Sequence, residues 1–261
     1  MMRSLYTAST GMYAQQLNVD TIAHNMSNVN TTGYKKERVE FQDLLYQMIK
    51  RPAATETANV PVGLSVGLGV KPVAINTLFG QGNLQQTENP LDVAINGQAF
   101  FKIQVSGNEE PLYSRDGSFK LDASGQMVTT DGNLVIGAEL IPAGATDLAI
   151  SPDGTVTYLP LGSTTAEEAG KIELSTFVNP AGLQKVGTNL YKATPNSGEP
   201  TDWDSESDST ISMQSGYLEM ANVKVVEEMV SLITAQRAYD INSKVIQASD
   251  EMLQTANGLR R

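Results

Sequence analysis

The residues best suited to chemistry in this chain are five aspartates: Asp116, Asp122, Asp131, Asp147 and Asp153. Two carboxylates held about 5–10 Å apart in a cleft would suffice for glycoside hydrolysis. Three of the five, however, immediately precede glycine, where aspartate is the expected turn residue. Gly63-Leu64-Ser65-Val66-Gly67 has the letters of a nucleophile elbow, but no strand signal precedes it and no helix signal follows it. The only histidine, His24, lies in a helical stretch far away in sequence. Gly67-Leu68-Gly69 is not a dinucleotide fingerprint, because Pro72 blocks the helix that such a loop must open. No segment has the alternating acids of a calcium loop. With no cysteine there are no disulfides, thiolate nucleophiles or cysteine metal sites. No catalytic, cofactor or metal-binding residue is therefore assigned, and the chain reads as a non-enzyme. A cell-wall hydrolase using the aspartates is the alternative from a different class.

The elements around these residues fall into three parts. Near the N-terminus, Leu5, Met12, Val19 and Met26 are spaced by seven, and Ala8, Ile22 and Val29 follow three of them by three. That 3.5-residue period predicts a helix packed on another helix. Thr31-Thr32-Gly33 stops it, with Gly33 as a C-terminal cap. Near the C-terminus, Val225, Leu232, Tyr239, Ile246 and Leu253 form a second series, and Val230, Ala238, Ile241, Val245, Ala248 and Met252 a further apolar row. The helix from about Ala221 to Ala256 is thus sticky over a wide arc and predicts contact with more than one neighbour. Between the ends, residues 71–215 read as short strands and turns, with Asn96-Gly97 marking a hairpin. The fold class is α+β: long terminal helices paired as a coiled coil, plus a central irregular all-β domain.

Composition draws the same boundaries. All 11 prolines lie between Pro52 and Pro200, and 18 of the 22 glycines between residues 51 and 215. The net charge of −11 resides wholly in residues 51–216; residues 1–50 carry +1 and residues 217–261 carry −1. An acidic chain is no general nucleic-acid binder. No run of about 18 apolar residues spans a membrane, and Thr7, Ser9 and Thr10 interrupt any cleavable signal peptide. The expected domains are 1–45 with 217–261 as a helical polymerisation domain, 46–70 as an extended connecting segment, and 71–216 as an outer β-rich domain.

Three stretches together resemble bacterial flagellar rod and hook proteins. The first is Ala23 to Lys35, containing Asn25, Asn28 and Gly33. The second is Asp92 to Phe101 with Tyr113 to Phe119, containing Asp92, Gly97, Phe100, Phe101, Arg115, Asp116 and Gly117. The third is Ala235 to Lys244, containing Gln236, Arg237 and Tyr239. The family usually has asparagine where His24 stands and often glycine at Ala99. Tyr46 through Pro72, with Pro52, Pro61, Gly67, Gly69 and Pro72, resembles a stiffening segment typical of a rod-type member and missing from most hook proteins.

The resemblance implies a structural subunit and no cofactor. It implies partners: further copies of the chain, proximal rod proteins, the hook protein, the P- and L-ring bushing and the flagellar type III export apparatus. It implies a rod crossing the periplasm, reached without a cleavable signal. A helical polymer needs a heterologous interface that does not close. The expected interface residues are Leu5, Met12, Val19, Ile22, Met26, Val29, Val225, Leu232, Tyr239, Ile241, Val245, Ile246 and Leu253.

Overall fold

The computed structural model describes residues 2–258 except 51–52, 56–57, 61–62, 109, 139, 143–144, 161–164 and 206–209. Pro52 and Pro61 lie outside the described residues. The chain forms two units, one of Met1–Ser27, Glu37–Asn76 and Lys224–Arg261, the other of Asn28–Lys36 and Thr77–Val223.

The first unit holds both long helices, α1 (Met2–Ser27) and α2 (Val225–Gly258), which pack against each other. Glu227 and Glu228 occupy the first turn of α2, where the helix dipole favours acids. Neither helix is apolar enough to cross a membrane. The rest of this unit is a ribbon of paired strands. Glu37–Asp43 pairs with Val70–Thr77. Tyr46–Lys50 pairs with Leu64–Gly67, with Tyr46 opposite Gly67 and Met48 opposite Ser65. Ala53–Thr55 pairs with Ala58–Val60. The Leu44 N–H donates to the Gly69 carbonyl at 2.8 Å, joining the first two ladders. The described strands of residues 46–67 therefore pair as a two-stranded arm. Tyr46, Met48, Ile49 and Leu64 on it are exposed, as is Leu45 at its base. Ser65 sits within a strand that leads into another strand, so no nucleophile elbow forms.

The second unit is β-rich. Its largest sheet runs Lys120–Leu121, Met127–Val128, Leu134–Val135, Phe100–Gln104, Leu112–Ser114, Leu190–Lys192 and Gln184–Gly187, and Leu174–Thr176 also pairs with Phe100–Gln104. Successive side chains of a strand point to opposite faces. Phe101 thus enters one core cluster, with Val93, Ile103, Phe119 and Leu174, while Phe100 enters another, with Tyr113, Phe177, Leu183 and Tyr191. Edge-to-face ring contacts, Phe101 on Phe119 at 4.9 Å and Tyr113 on Phe177 at 4.8 Å, fix these clusters. The end of the unit returns to its beginning: Ser212–Ser215 pairs with Val93–Asn96, and Tyr217–Glu219 pairs with Leu84–Gln86.

Candidate functional site

Two constellations stand out, one in each unit. In the β-rich unit, Lys35, Arg115 and Glu219 are almost wholly buried, with side chains 0–1 % exposed. Lys35 Nζ donates to Glu219 Oε1 at 2.6 Å and to the Gly80 carbonyl at 2.9 Å. Arg115 Nη1 donates to Glu219 Oε2 at 3.3 Å, and Nη2 to the Gly97 carbonyl at 2.7 Å. The guanidinium also lies 5.1 Å from the centre of the Phe100 ring. Burial pushes both cations below their ordinary pKa values. The Glu219 charge opposes that fall in each case, while Arg115 adds to it at Lys35. One carboxylate thus pairs with two cations drawn from distant parts of the chain.

The backbone around this cluster is tied down as firmly. The Gly33 N–H donates to the Glu219 carbonyl at 2.7 Å. Gly33 has φ +66°, and a Cβ there would lie 2.6 Å from the Arg115 carbonyl carbon, so both conformation and space require glycine. Asp116 Oδ1 accepts from Thr32 Oγ1 at 2.8 Å and from the Ser118 N–H and hydroxyl, and Oδ2 accepts from Asn189. Asn222 Oδ1 accepts from the Lys36 N–H at 2.7 Å. Val29 packs with Tyr34, Ala221 and Val223. Val29 therefore lies in the turn beyond α1, not on the helix.

In the helical unit, α1 and α2 run antiparallel. Ser4 Oγ is 3.3 Å from Ser249 Oγ. A Cβ on Gly11 would lie 2.9 Å from Asn242 Nδ2. Asn25 Nδ2 donates to Glu228 Oε2 at 3.5 Å. These levels advance by seven along one helix and retreat by seven along the other, which sets Asn18 level with Ala235, itself buried. The Asn25 amide also bonds both backbone groups of Glu37, at 2.8 and 2.9 Å, pinning the first ribbon strand to α1. The seam between the helices is thus lined by small and polar side chains. Leu5, Met12, Val19 and Met26 are half-buried one position beyond it, whereas Ile22 is buried. On α2, Leu232, Ile246 and Leu253 are half-buried, and Val225, Tyr239, Ile241 and Val245 are exposed. Gln236 and Arg237 are exposed as well, and Gln236 and Tyr239 line a shallow depression with Gln16, Val19 and Asp240.

The remaining signature residues hold the β-rich unit together. Asp92 accepts from Asn89 at 3.0 Å, and its carbonyl accepts from Gly216. Gly117 lies so close to the Val93 carbonyl that no Cβ fits. On the ribbon, Gly67 lies beside the Tyr46 ring, Gly69 approaches Thr10, and Pro72 sits in strand Val70–Thr77. Asp122, Asp131 and Asp153 lie at turns closed by the backbone bonds Gly125 to Asp122, Gly132 to Thr129 and Gly154 to Ser151. Among the described residues, no group of three or more His, Asp or Glu could hold a metal ion.

Three family profiles match in chain order: "Flagella basal body rod protein" over residues 5–35, "Flagellar hook protein FlgE/F/G D1 domain" over 94–158, and "Flagellar basal body rod FlgEFG protein C-terminal" over 214–259. The chain is 47 % identical over 265 residues to the flagellar basal-body rod protein FlgG of Borreliella burgdorferi, with both chains covered in full. The chain belongs to the flagellar basal-body rod family. Other members similar to it include FlgG of Agrobacterium fabrum, 45 % identical over 96 % of this chain and 97 % of that one. The flagellar hook-basal body complex protein FlhP of Bacillus subtilis is 32 % identical over the full length of both. Each matched segment contributes one member of the buried cluster: Lys35 from the first, Arg115 from the second and Glu219 from the third. The helix seam joins the first and third. The flagellar rod family's sequence segments therefore meet in space at these two constellations.

Proposed function

We propose that the chain is a structural subunit of the distal rod, the drive shaft of the bacterial flagellar basal body. Copies polymerise helically around an export channel and transmit torque to the hook. The paired terminal helices form the inner coiled-coil layer, and residues 71–216 form the acidic outer layer. The ribbon arm reaches neighbouring copies and stiffens the shaft. The observation that carries this reading, beside family membership, is the apolar surface the helix pair leaves uncovered. Val226 is 74 % exposed, Val230 59 % and Ile241 61 %, with Tyr6 and Tyr13 exposed on α1. Exposed large apolar side chains on a helix pair suit a protein-contact face, and a helical homopolymer supplies the same surface again in the next copy. The partners are those of a rod: proximal rod proteins, the hook protein, the ring bushing and the export apparatus.

The test replaces Val230 and Ile241 by aspartate in the full chain. Sedimentation and negative-stain imaging are expected to show polymer from the parent chain and more than tenfold less from the double variant. Polymer equal to the parent's would remove the helices from the interface.

A further inference from the structure

The seam between α1 and α2 is built from the side chains least suited to drive helix association. Its levels are Ser4 with Ser249, Gly11 with Asn242, Asn18 with Ala235, and Asn25 with Glu228. Glycine inside a helix costs about 0.5–1 kcal/mol against alanine, yet Gly11 stands mid-helix where the Asn242 amide approaches it. Apart from the buried Ile22, the larger apolar side chains of the two helices are half-buried or exposed.

We infer that these four levels select a single register for the helix pair, and so decide which apolar side chains are turned outward. Apolar rows that repeat every seven residues cannot do this alone. Val225, Leu232, Tyr239, Ile246 and Leu253 present much the same surface after a slip of one heptad. The polar levels do not. In the observed register, each of the first three levels has at least one small partner. The one level with two long side chains, Asn25 and Glu228, has its asparagine held by the Glu37 backbone. A slip of seven in one direction sets Asn18 against Asn242, and in the other sets Asn18 against Glu228. Either slip places two long polar groups mid-seam, where the helices have room for one. A buried polar residue that fixes register at some cost in stability is an established device of coiled coils.

The register claim stands on the helix pair alone; its consequence for assembly rests on the rod-subunit reading. The chain has no cysteine, so engineered thiols report register without interference. One full-length variant carries Ser4→Cys with Ser249→Cys, the observed level. A second carries Ser4→Cys with Ala256→Cys, one heptad away. Both are oxidised in a glutathione buffer, and intrachain disulfides are counted by peptide mass spectrometry on mixed light and 15N-labelled chains. Pelleted and soluble protein are read separately. The 4/249 pair is expected to be favoured at least tenfold over 4/256. Adding Asn18→Leu and Asn242→Leu to both is expected to bring the ratio within about threefold, with helicity by circular dichroism retained. Near-equal crosslinking in the parent background would overturn the inference, as would a tenfold preference that survives the leucine substitutions. Failure of any protein to pellet would instead count against the polymer reading and leave the disulfide ratio to decide register.

Discussion

Glu219 accepts from the side chains of Lys35 and Arg115, while its carbonyl accepts from Gly33 and its Oε1 also accepts from the Gly82 N–H at 2.8 Å. Removing the carboxylate leaves two buried cations facing each other, whereas removing Lys35 leaves a balanced Arg115–Glu219 pair. The full-length Glu219→Gln variant should therefore lose about 3–5 kcal/mol in the β-rich unit, the usual loss when one partner of a buried ion pair is deleted. Lys35→Met should lose less than half as much. Denaturant unfolding followed by Trp203 fluorescence reads this directly. Trp203 is the only tryptophan and packs on the core of that unit. Equal losses in the two variants would show that Glu219 is not the hub. At this scale the sequence was only partly readable. Gly33, Arg115 and Asp116 stand out by resemblance, but nothing in the chain order announces that Lys35 meets a carboxylate 184 positions later. Such a pair is set by the path of the whole β-rich unit.

The elements were readable where periodicity speaks, and misread where it rewards only apolar residues. Both long helices are visible in their seven-residue rows; α1 ends at Ser27, six residues before the expected cap Gly33, and α2 begins at Val225, four residues after the expected Ala221. A search for apolar spacing selects Leu5, Met12, Val19 and Met26, one position away from the seam actually used. Ser4, Gly11, Asn18 and Asn25 carry the same period in residues that such a search passes over. Residues 46–70 read as an extended segment because their prolines and glycines hide the alternation. Their described strands pair as an arm, on which Met48, opposite Ser65, and Ile49 are exposed, with Leu45 exposed at its base. The arm yields a prediction at its own scale. Deleting residues 46–65 should leave the helix pair and its polymer intact, but give filaments at least twofold more flexible by persistence length. A persistence length equal to the parent's would deny the arm its stiffening role.

For the whole molecule, the charge division visible in the sequence takes on physical meaning. The net −11 belongs to residues 51–216, while the terminal segments that carry the helices are close to neutral. Near-neutral helices with exposed apolar side chains suit close packing of many copies, and in the proposed rod, with residues 71–216 outermost, like charges would discourage lateral bundling. In the proposed assembly the chain builds an open-ended helical shaft through its terminal helices. The most direct measurement is electron cryomicroscopy of polymer grown from the purified full-length chain. Straight filaments are expected, with an axial channel lined by α1 and α2 in the 4/249 register and the β-rich unit outside. Closed rings, or filaments held together by the β-rich unit with the helices on the outside, would contradict it.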